Sequence, residues 1–195
     1  MRLFTAVLLP DEVRDHLDEL GDRLTRLVRA ETTSGSKGQV KWVGPETLHV
    51  TLKFLGEVDD AQVPELIGHL RNATKSAPGP FTIQADQIAC LPPARRAPVR
   101  VIAASLSGNV ERLRQTFATI EGACKDFGIP PEGRPFLPHI TLARCRVPLP
   151  AFMRDELAEA SSPGPWFDAS QFAIVQSTLK PTGPEYRTIA TFPAA

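Results

Sequence analysis

Two short histidine-containing motifs recur in the chain: HVTL begins at His49 and HITL begins at His139. Side chains alternate between the two faces of a strand, so each histidine shares a face with a threonine and the two apolar residues share the other face. Near neutral pH, one imidazole can accept a proton while another donates one. Threonine hydroxyls can donate hydrogen bonds to phosphate oxygens. The paired motifs therefore predict acid–base chemistry at a phosphodiester.

The hydrophobic pattern places one motif in each half of the chain. A single His-x-Thr-Leu is usually ordinary sheet surface, but two copies at matched positions favour catalysis. Predicted strands are Arg2–Leu9, Leu48–Leu55, Phe81–Cys90, Val99–Leu106, His139–Val147, Phe167–Ser177 and Tyr186–Phe192. Predicted helices begin at Pro10, at Asp59 or Asp60, near Val110 and at Pro150, with the third ending before Gly128, and predicted loops cover Glu31–Gln39 and Ile129–Pro138.

Each half thus has the order strand, helix, loop, strand, helix, strand, and the final strand lacks a counterpart in the first half. This order predicts one domain made of two pseudo-symmetric α+β halves, of about residues 1–95 and 96–195. If a pseudo-twofold axis relates the halves, the cleft between them receives both histidines and both threonines.

Composition limits the partners that the protein can attract. The 22 basic residues balance 22 acidic ones, so RNA contact requires a local patch. The cluster of Arg95, Arg96 and Arg100 could follow an RNA backbone or form a solvated loop. The apolar run Leu3–Leu9 is too short to span a bilayer, and no cleavage site follows it. We expect a cytoplasmic protein, without membrane contact and monomeric by default.

Neither motif has an acidic neighbour in its strand, and no HxxxH or nucleotide-binding glycine loop occurs. We therefore expect no metal and no cofactor. The three cysteines lack CxxC spacing, which is typical of buried, unreactive thiols. The other two histidines, His16 and His69, lie in predicted helices beside charged residues and are expected to be solvated.

At these motifs the sequence resembles the two-histidine (2H) phosphoesterase superfamily. The resemblance is nearest to the bacterial and archaeal RNA 2′,3′-cyclic phosphodiesterases, historically called 2′-5′ RNA ligases, and it covers essentially the whole chain. The segments that carry it are the opening Arg2–Phe4, KWV from Lys41, LHVTLKFLG from Leu48, RPFLP from Arg134 followed by HITLAR, and Gly183–Tyr186. One departure is Gln176, where the family commonly has glutamate.

The resemblance implies a bilobal α+β fold, in which two antiparallel sheets form a central cleft and helices lie outside. It implies hydrolysis of a terminal RNA 2′,3′-cyclic phosphate to a 2′-phosphate without metal. His49 is then the general acid that protonates the leaving 3′ oxygen, and His139 is the base that activates water. Thr51 and Thr141 are the phosphate-binding hydroxyls, and Arg144 adds positive charge.

Strict strand alternation places Arg144 on the face opposite His139, so a role at the phosphate requires a bulge, a strand end or a long reach. Otherwise it is a solvated arginine at a strand end. Phe54 and Trp42 could stack on the terminal base, or pack in the core as aromatic residues in strands usually do.

Three other functions stay open on the sequence alone. The first is a cyclic phosphodiesterase for small nucleotides or ADP-ribose derivatives. The second is an RNA-end-binding module without catalysis, and the third is a metallohydrolase, which would require clustered ligands. Weak reverse 2′-5′ ligation is expected beside hydrolysis, because the acid–base mechanism is reversible.

Overall fold

The computed structural model of the 195-residue chain describes residues 1–31, 40–181 and 183–193. The strands in these residues are β1 (Arg2–Leu8), β2 (Val40–Trp42), β3 (His49–Glu57), β4 (Phe81–Leu91), β5 (Val99–Gly108), β6 (His139–Leu149), β7 (Trp166–Ala169), β8 (Gln171–Lys180) and β9 (Gly183–Pro193). The α-helices are α1 (Asp11–Glu31), α2 (Val63–Ala73), α3 (Val110–Asp126) and α4 (Met153–Glu159). Of the predicted loop Glu31–Gln39, only Glu31 lies within the described residues, and it ends α1.

The strands of the described residues pair in one antiparallel sheet, in the order β7-β4-β5-β6-β3-β1-β8-β9, with β2 added beside β6. We call β3, β1, β8 and β9 the first arm, and β6, β5, β4, β7 and β2 the second arm. A single pair, Val50 with Ile140, joins the two arms. The predicted α+β class with antiparallel strands is confirmed, and the two sheets are continuous at this pair. No helix in the described ranges is long and apolar enough to cross a membrane.

The strand order is symmetric about the junction of the arms. It reads the same from both ends when β1 is matched to β5, β3 to β6, and β4 to β8. The two halves of the sequence exchange strands in this arrangement, because β4 lies in the second arm and β8 in the first. The symmetry supports the proposal of an internal duplication with a boundary near residue 95.

The prediction of one strand over Phe167–Ser177 is wrong. Two strands, β7 and β8, occupy this segment and are separated at Ser170. Strand β7 pairs with β4 in the second arm, and β8 pairs with β1 in the first arm. Period-two alternation indicates which face a side chain occupies, but it does not identify the partner strand. The short strand β2 was not predicted, because three residues are too few to show a period.

The main core lies between the helices and one face of the sheet. Helix α1 contributes Val13, Leu17, Leu20, Leu24 and Val28, which recur at helical spacing and are buried. The other face of the first arm carries a second, smaller cluster of Phe4, Ala6, Ala173 and Val175, against which Tyr186 packs. Phe4 and Tyr186 of this smaller cluster contact His49.

The starts and ends of two helices follow local sequence signals. Gly128 has φ of +94° directly after α3, a conformation that favours glycine and confirms the predicted stop. The Asp59 carboxylate accepts a hydrogen bond from the Ala61 amide at 3.1 Å. This contact caps a short 3-10 turn over Asp60–Gln62, and α2 begins only at Val63.

The other two histidines are not fully solvated, so that prediction is wrong. His16 is partly buried, with Nε2 2.9 Å from the Ser162 carbonyl oxygen. His69 is also partly buried, and its ring centroid lies 5.8 Å from that of Phe127. Both residues lie in amphipathic helices, and each contacts a residue of another segment, which covers part of its side chain.

The cysteines are free thiols, as predicted. Cys90 and Cys124 are buried and Cys145 is half-buried. Burial raises the pKa of Cys124 and of Cys145 to about 11, which keeps both thiols protonated and unreactive near neutral pH.

Candidate active site

The two histidines lie at the junction of the two arms. His49 opens β3 and His139 opens β6, and each precedes one member of the fully buried pair Val50 and Ile140. In antiparallel register this pairing directs His49 toward Thr141 and His139 toward Thr51. The register thus brings the two histidine motifs together at one junction.

Both imidazoles are held in the same way by backbone. The Nδ1 atom of His49 lies 2.6 Å from the Thr47 carbonyl oxygen, and Nδ1 of His139 lies 2.7 Å from the Leu137 carbonyl oxygen. A carbonyl oxygen only accepts, so each Nδ1 carries hydrogen and donates it. Each Nε2 is therefore the atom that can exchange a proton with a ligand. The acceptor is two residues before the histidine in both cases.

Arg144 reaches the cleft because β6 contains a bulge. The register with β5 shifts between Ala103, opposite Thr141, and Ile102, opposite Ala143, so Leu142 is the extra residue. Leu142 and Ala143 are consequently both buried, and alternation resumes one residue later. Arg144 then shares the cavity with Thr141. Strict alternation had placed it on the opposite face, and the bulge is the reason that this expectation fails.

A matching bulge brings Phe54 to the cleft. The register of β1 with β3 shifts between Thr5, opposite Lys53, and Ala6, opposite Thr51, so Leu52 is the extra residue. Phe54 therefore occupies in β3 the position that Arg144 occupies in β6, and its side chain is 56% exposed. That exposure leaves an aromatic face available to a ligand.

Aromatic side chains enclose His49. Its ring centroid lies 4.9 Å from that of Phe4 and 5.4 Å from that of Tyr186, which meets it edge to face. Burial lowers the pKa of His49 below the usual 6.5, the hydrogen bond to the Thr47 carbonyl opposes this shift, and the charges of Arg144 and His139 lower the pKa further. These effects favour the neutral form of His49, and the negative charge of a bound phosphate would oppose them by favouring the protonated form that an acid requires.

The two threonines have different surroundings. Thr51 Oγ1 lies 2.9 Å from Nε2 of His49, so the hydroxyl is already engaged with the imidazole. Thr141 lines the cavity, opposite the fully buried Ala103 of β5. The small alanine leaves room beside the hydroxyl.

The cavity at this junction has a volume of about 640 Å³. Both arms line it, with His49, Thr51, Thr141, Arg144, Phe54 and Trp42 among the residues predicted from sequence. His139 lies beside the cavity and not in its lining, yet its charge affects the pKa of His49. Trp42 is half-buried and also packs against the core, whereas Phe54 is mostly exposed.

Four further lining residues were missed as site residues by the sequence reasoning. Phe4 and Tyr186 flank His49, and Arg2 and Lys41 add positive charge. Their only sequence signal was their position within the segments that resemble the family, since none lies in a histidine motif.

Part of the predicted basic cluster falls outside the cleft. Arg95 and Arg96 line a separate open hollow with Phe152 and Asp155, away from the histidines. Among the described residues, no group of three or more His, Cys, Asp or Glu side chains is placed to hold a metal ion.

Comparison with known sequences identifies one family. The sequence model described as LigT-like phosphoesterase matches residues 8–102 and 106–186. A Thermus thermophilus protein named RNA 2′,3′-cyclic phosphodiesterase is 31% identical over 194 residues, with 98% of this chain and 89% of that protein covered. A protein of the same name from Thermotoga maritima is 28% identical over 190 residues, with 97% and 93% covered.

Solved structures show the same fold. A crystal structure of a protein from Thermus thermophilus superposes with a TM-score of 0.76 and 30% identity, covering 100% of this chain and 98% of that one. The crystal structure of Escherichia coli LigT complexed with 3′-AMP has a TM-score of 0.70 and 23% identity, covering 98% of this chain and 97% of that one.

Proposed function

The chain belongs to the LigT-like phosphoesterase family, and we propose that it hydrolyses RNA 2′,3′-cyclic phosphate ends to 2′-phosphates through acid–base catalysis by His49 and His139. One observation carries the proposal: both imidazoles are fixed through Nδ1 by a carbonyl oxygen two residues earlier, at the junction of two symmetric arms. The name shared by the Thermus and Thermotoga relatives supplies the substrate class.

The proposed reaction uses the two Nε2 atoms in sequence. Neutral His139 accepts a proton from water at Nε2, and the water oxygen forms a bond to phosphorus. The bond from phosphorus to the 3′ oxygen breaks, and protonated His49 donates its Nε2 proton to that oxygen. The products are a 2′-phosphate and a free 3′-hydroxyl. The carbonyls of Thr47 and Leu137 fix the tautomer that each step requires.

Thr51, Thr141 and Arg144 bind the phosphate in this proposal. When His49 is protonated, its Nε2 hydrogen can be donated to Thr51 Oγ1 over the observed 2.9 Å. The hydroxyl hydrogen of Thr51 is then free to be donated to a phosphate oxygen. Arg144 lines the same cavity as His49 and supplies a positive charge, which also lowers the pKa of His49. Its attraction for the developing negative charge stabilises the transition state.

Phe54 and Trp42 are proposed to contact the terminal base. Both line the cavity, and base–aromatic stacking tolerates every base because each has a π-face. Phe54 has the larger exposed area and is the better stacking platform, whereas Trp42 gives part of its surface to the core.

The substrate class is tested by comparing a short RNA that ends in a 2′,3′-cyclic phosphate with a nucleoside 2′,3′-cyclic phosphate and a cyclic phosphate of ADP-ribose. We expect the highest kcat/KM for the RNA. If the protein hydrolyses the small cyclic phosphates but not the RNA end, the proposed acid–base mechanism stands. The substrate is then a small nucleotide and not RNA. Binding of RNA ends without conversion of any substrate would favour the non-catalytic module.

The pH dependence of single variants separates the two roles. In His139→Ala, residual kcat/KM depends on protonated His49, so it should fall as pH rises through the pKa of His49, which lies below 6.5. In His49→Ala, this fall with rising pH should be absent. A fall that persists in His49→Ala and is absent in His139→Ala would exchange the acid and base assignments.

Reverse joining of RNA ends through a 2′-5′ bond is proposed as a weak activity. A 5′-hydroxyl can take the place of water: His139 accepts its proton, the 5′ oxygen forms a bond to phosphorus, the bond from phosphorus to the 3′ oxygen breaks, and His49 protonates that oxygen. Because water is far more abundant, hydrolysis dominates at equilibrium. Incubation of a cyclic-phosphate end with an excess of 5′-hydroxyl RNA should yield a small fraction of joined product that disappears in His49→Ala.

A further inference from the structure

The cavity contains more positive charge than a cyclic phosphate requires. Arg2, Lys41 and Arg144 all line it, and none of its described lining residues is Asp or Glu. The ion pairs found among the described residues involve none of these three cations. A terminal cyclic phosphate has one negative charge. In a chain with balanced charges overall, this local excess fits a ligand with at least one additional anion.

Two of the cations face each other across neighbouring strands. Lys41 of β2 is directly opposite Arg144 of β6 in the antiparallel register. Like charges in directly opposed positions destabilise a strand pair, and no acidic residue of the cavity offsets them. A bound anion beside the pair would remove this repulsion.

Lys41 is also held near the first arm. A Cβ atom on Gly183 would lie 3.2 Å from Lys41 Nζ, and Gly183 adopts φ of +144°, which favours glycine. Because Gly183 has no side chain, the Lys41 amino group can lie against the start of β9, while the Lys41 backbone stays in the second arm. Arg2 comes from β1 of the first arm and lines the same cavity, so both arms contribute a cation to it.

The strand register separates Arg2 from the reacting group. Arg2 is opposite Glu57 at one end of β1, whereas His49 is opposite Leu8 at the other end. Arg144 follows Thr141 by three residues in β6 and has Lys41 directly opposite it. Arg2 thus lies along the cavity from the histidine, where it can contact an anion other than the reacting phosphate.

We infer that Lys41 and Arg2 bind the phosphodiester that precedes the terminal nucleotide, so that the cleft selects an RNA chain over an isolated cyclic nucleotide. The inference rests on the proposed function. A nucleoside 2′,3′-cyclic phosphate has no second phosphate to place there, whereas the smallest RNA with such an end has one.

The inference is tested with a dinucleotide ending in a 2′,3′-cyclic phosphate and its analogue with a neutral methylphosphonate at the internal linkage. In the wild type, kcat/KM should be about tenfold higher for the charged linkage, the scale of one charge-assisted contact. Most of the difference should appear in KM, because the contact is equally present in the ground state and the transition state. In Lys41→Gln the ratio should fall, and in Arg2→Gln/Lys41→Gln it should approach one.

Arg95→Gln is the matched control, because Arg95 is an exposed cation outside the cavity, and it should keep the wild-type ratio. An equal loss on both substrates in Lys41→Gln would overturn the inference, as would a wild type that does not distinguish them. Greater efficiency with a cyclic phosphate of ADP-ribose than with the dinucleotide would assign the second anion to a pyrophosphate and also overturn it. A wild type that opens neither dinucleotide would instead reject the proposed function.

Discussion

Replacement of His139 by alanine is expected to lower kcat by about 10² to 10⁴ while the fold is kept. The only hydrogen bond that its imidazole makes in the described part of the chain is the one to the Leu137 carbonyl, so little packing is lost. His49→Ala should lower kcat on the same scale. Since His49 packs between Phe4 and Tyr186, His49→Asn is a useful second variant that fills more of the space and has no group able to act as an acid.

Two further variants serve as controls for the single histidine substitutions: the double variant and a substitution of a histidine outside the cavity. Because the residual activity of each single variant still uses the remaining histidine, the His49→Ala/His139→Ala protein should be slower than either single variant, although the two effects are not fully additive. His69→Gln lies outside the cavity and should keep wild-type kcat. Wild-type rates in a folded His139→Ala protein would contradict the mechanism.

Lys53→Met is expected to destabilise the protein by about 3 kcal/mol. The Lys53 side chain is only 2% exposed, and its Nζ lies 2.8 Å from Glu121 Oε2 and 2.9 Å from the Pro130 carbonyl oxygen, to which it donates. Glu121 in turn accepts a hydrogen bond from the Glu132 amide at 2.6 Å. Removal of the lysine leaves a largely buried carboxylate unpaired. Urea unfolding should show a lower midpoint at an unchanged m-value.

A second substitution distinguishes the unpaired charge from lost packing. Lys53→Met/Glu121→Leu removes both charges and should recover most of the stability. Lys75→Met changes an exposed lysine and should shift the free energy of unfolding by less than about 0.5 kcal/mol. If the double variant is no more stable than Lys53→Met, lost packing and not the carboxylate is the cause.

The Lys53 network has a consequence for the site. Lys53 lies two residues after Thr51 in β3, while Pro130 and Glu132 belong to the segment that leads to His139. The network therefore ties the strand that begins at one histidine to the loop that precedes the other.

The sequence predicted the parts of the site that depend on local pattern. The HVTL and HITL motifs, the alternation that places histidine beside threonine, and the symmetric halves all follow from neighbouring residues. The position of Arg144 could not be predicted from alternation alone, because strict alternation assigns it to the face opposite His139. The consecutive apolar residues Leu142 and Ala143 are the local signal of its bulge, since they break the alternation just before it.

Other features depend on contacts that are distant in sequence. The strand is interrupted at Ser170 because β7 and β8 pair with strands in different arms. The alternation of neighbouring residues contains no information on those partners. The same holds for Lys41, whose place in the site depends on its register opposite Arg144 and on the turn at Gly183. The bulge before Phe54 could not be recognised from the sequence. Its two consecutive buried residues are Leu52 and Lys53, and a charged lysine does not indicate burial.

The most direct test of the two-histidine proposal is the position of the product phosphate. A short RNA ending in a 2′,3′-cyclic phosphate is incubated with the protein in excess EDTA, and the terminal phosphate is located by NMR. The mechanism predicts a 2′-phosphate, formed at the same rate with and without the chelator. A 3′-phosphate, or loss of conversion in EDTA, would contradict it.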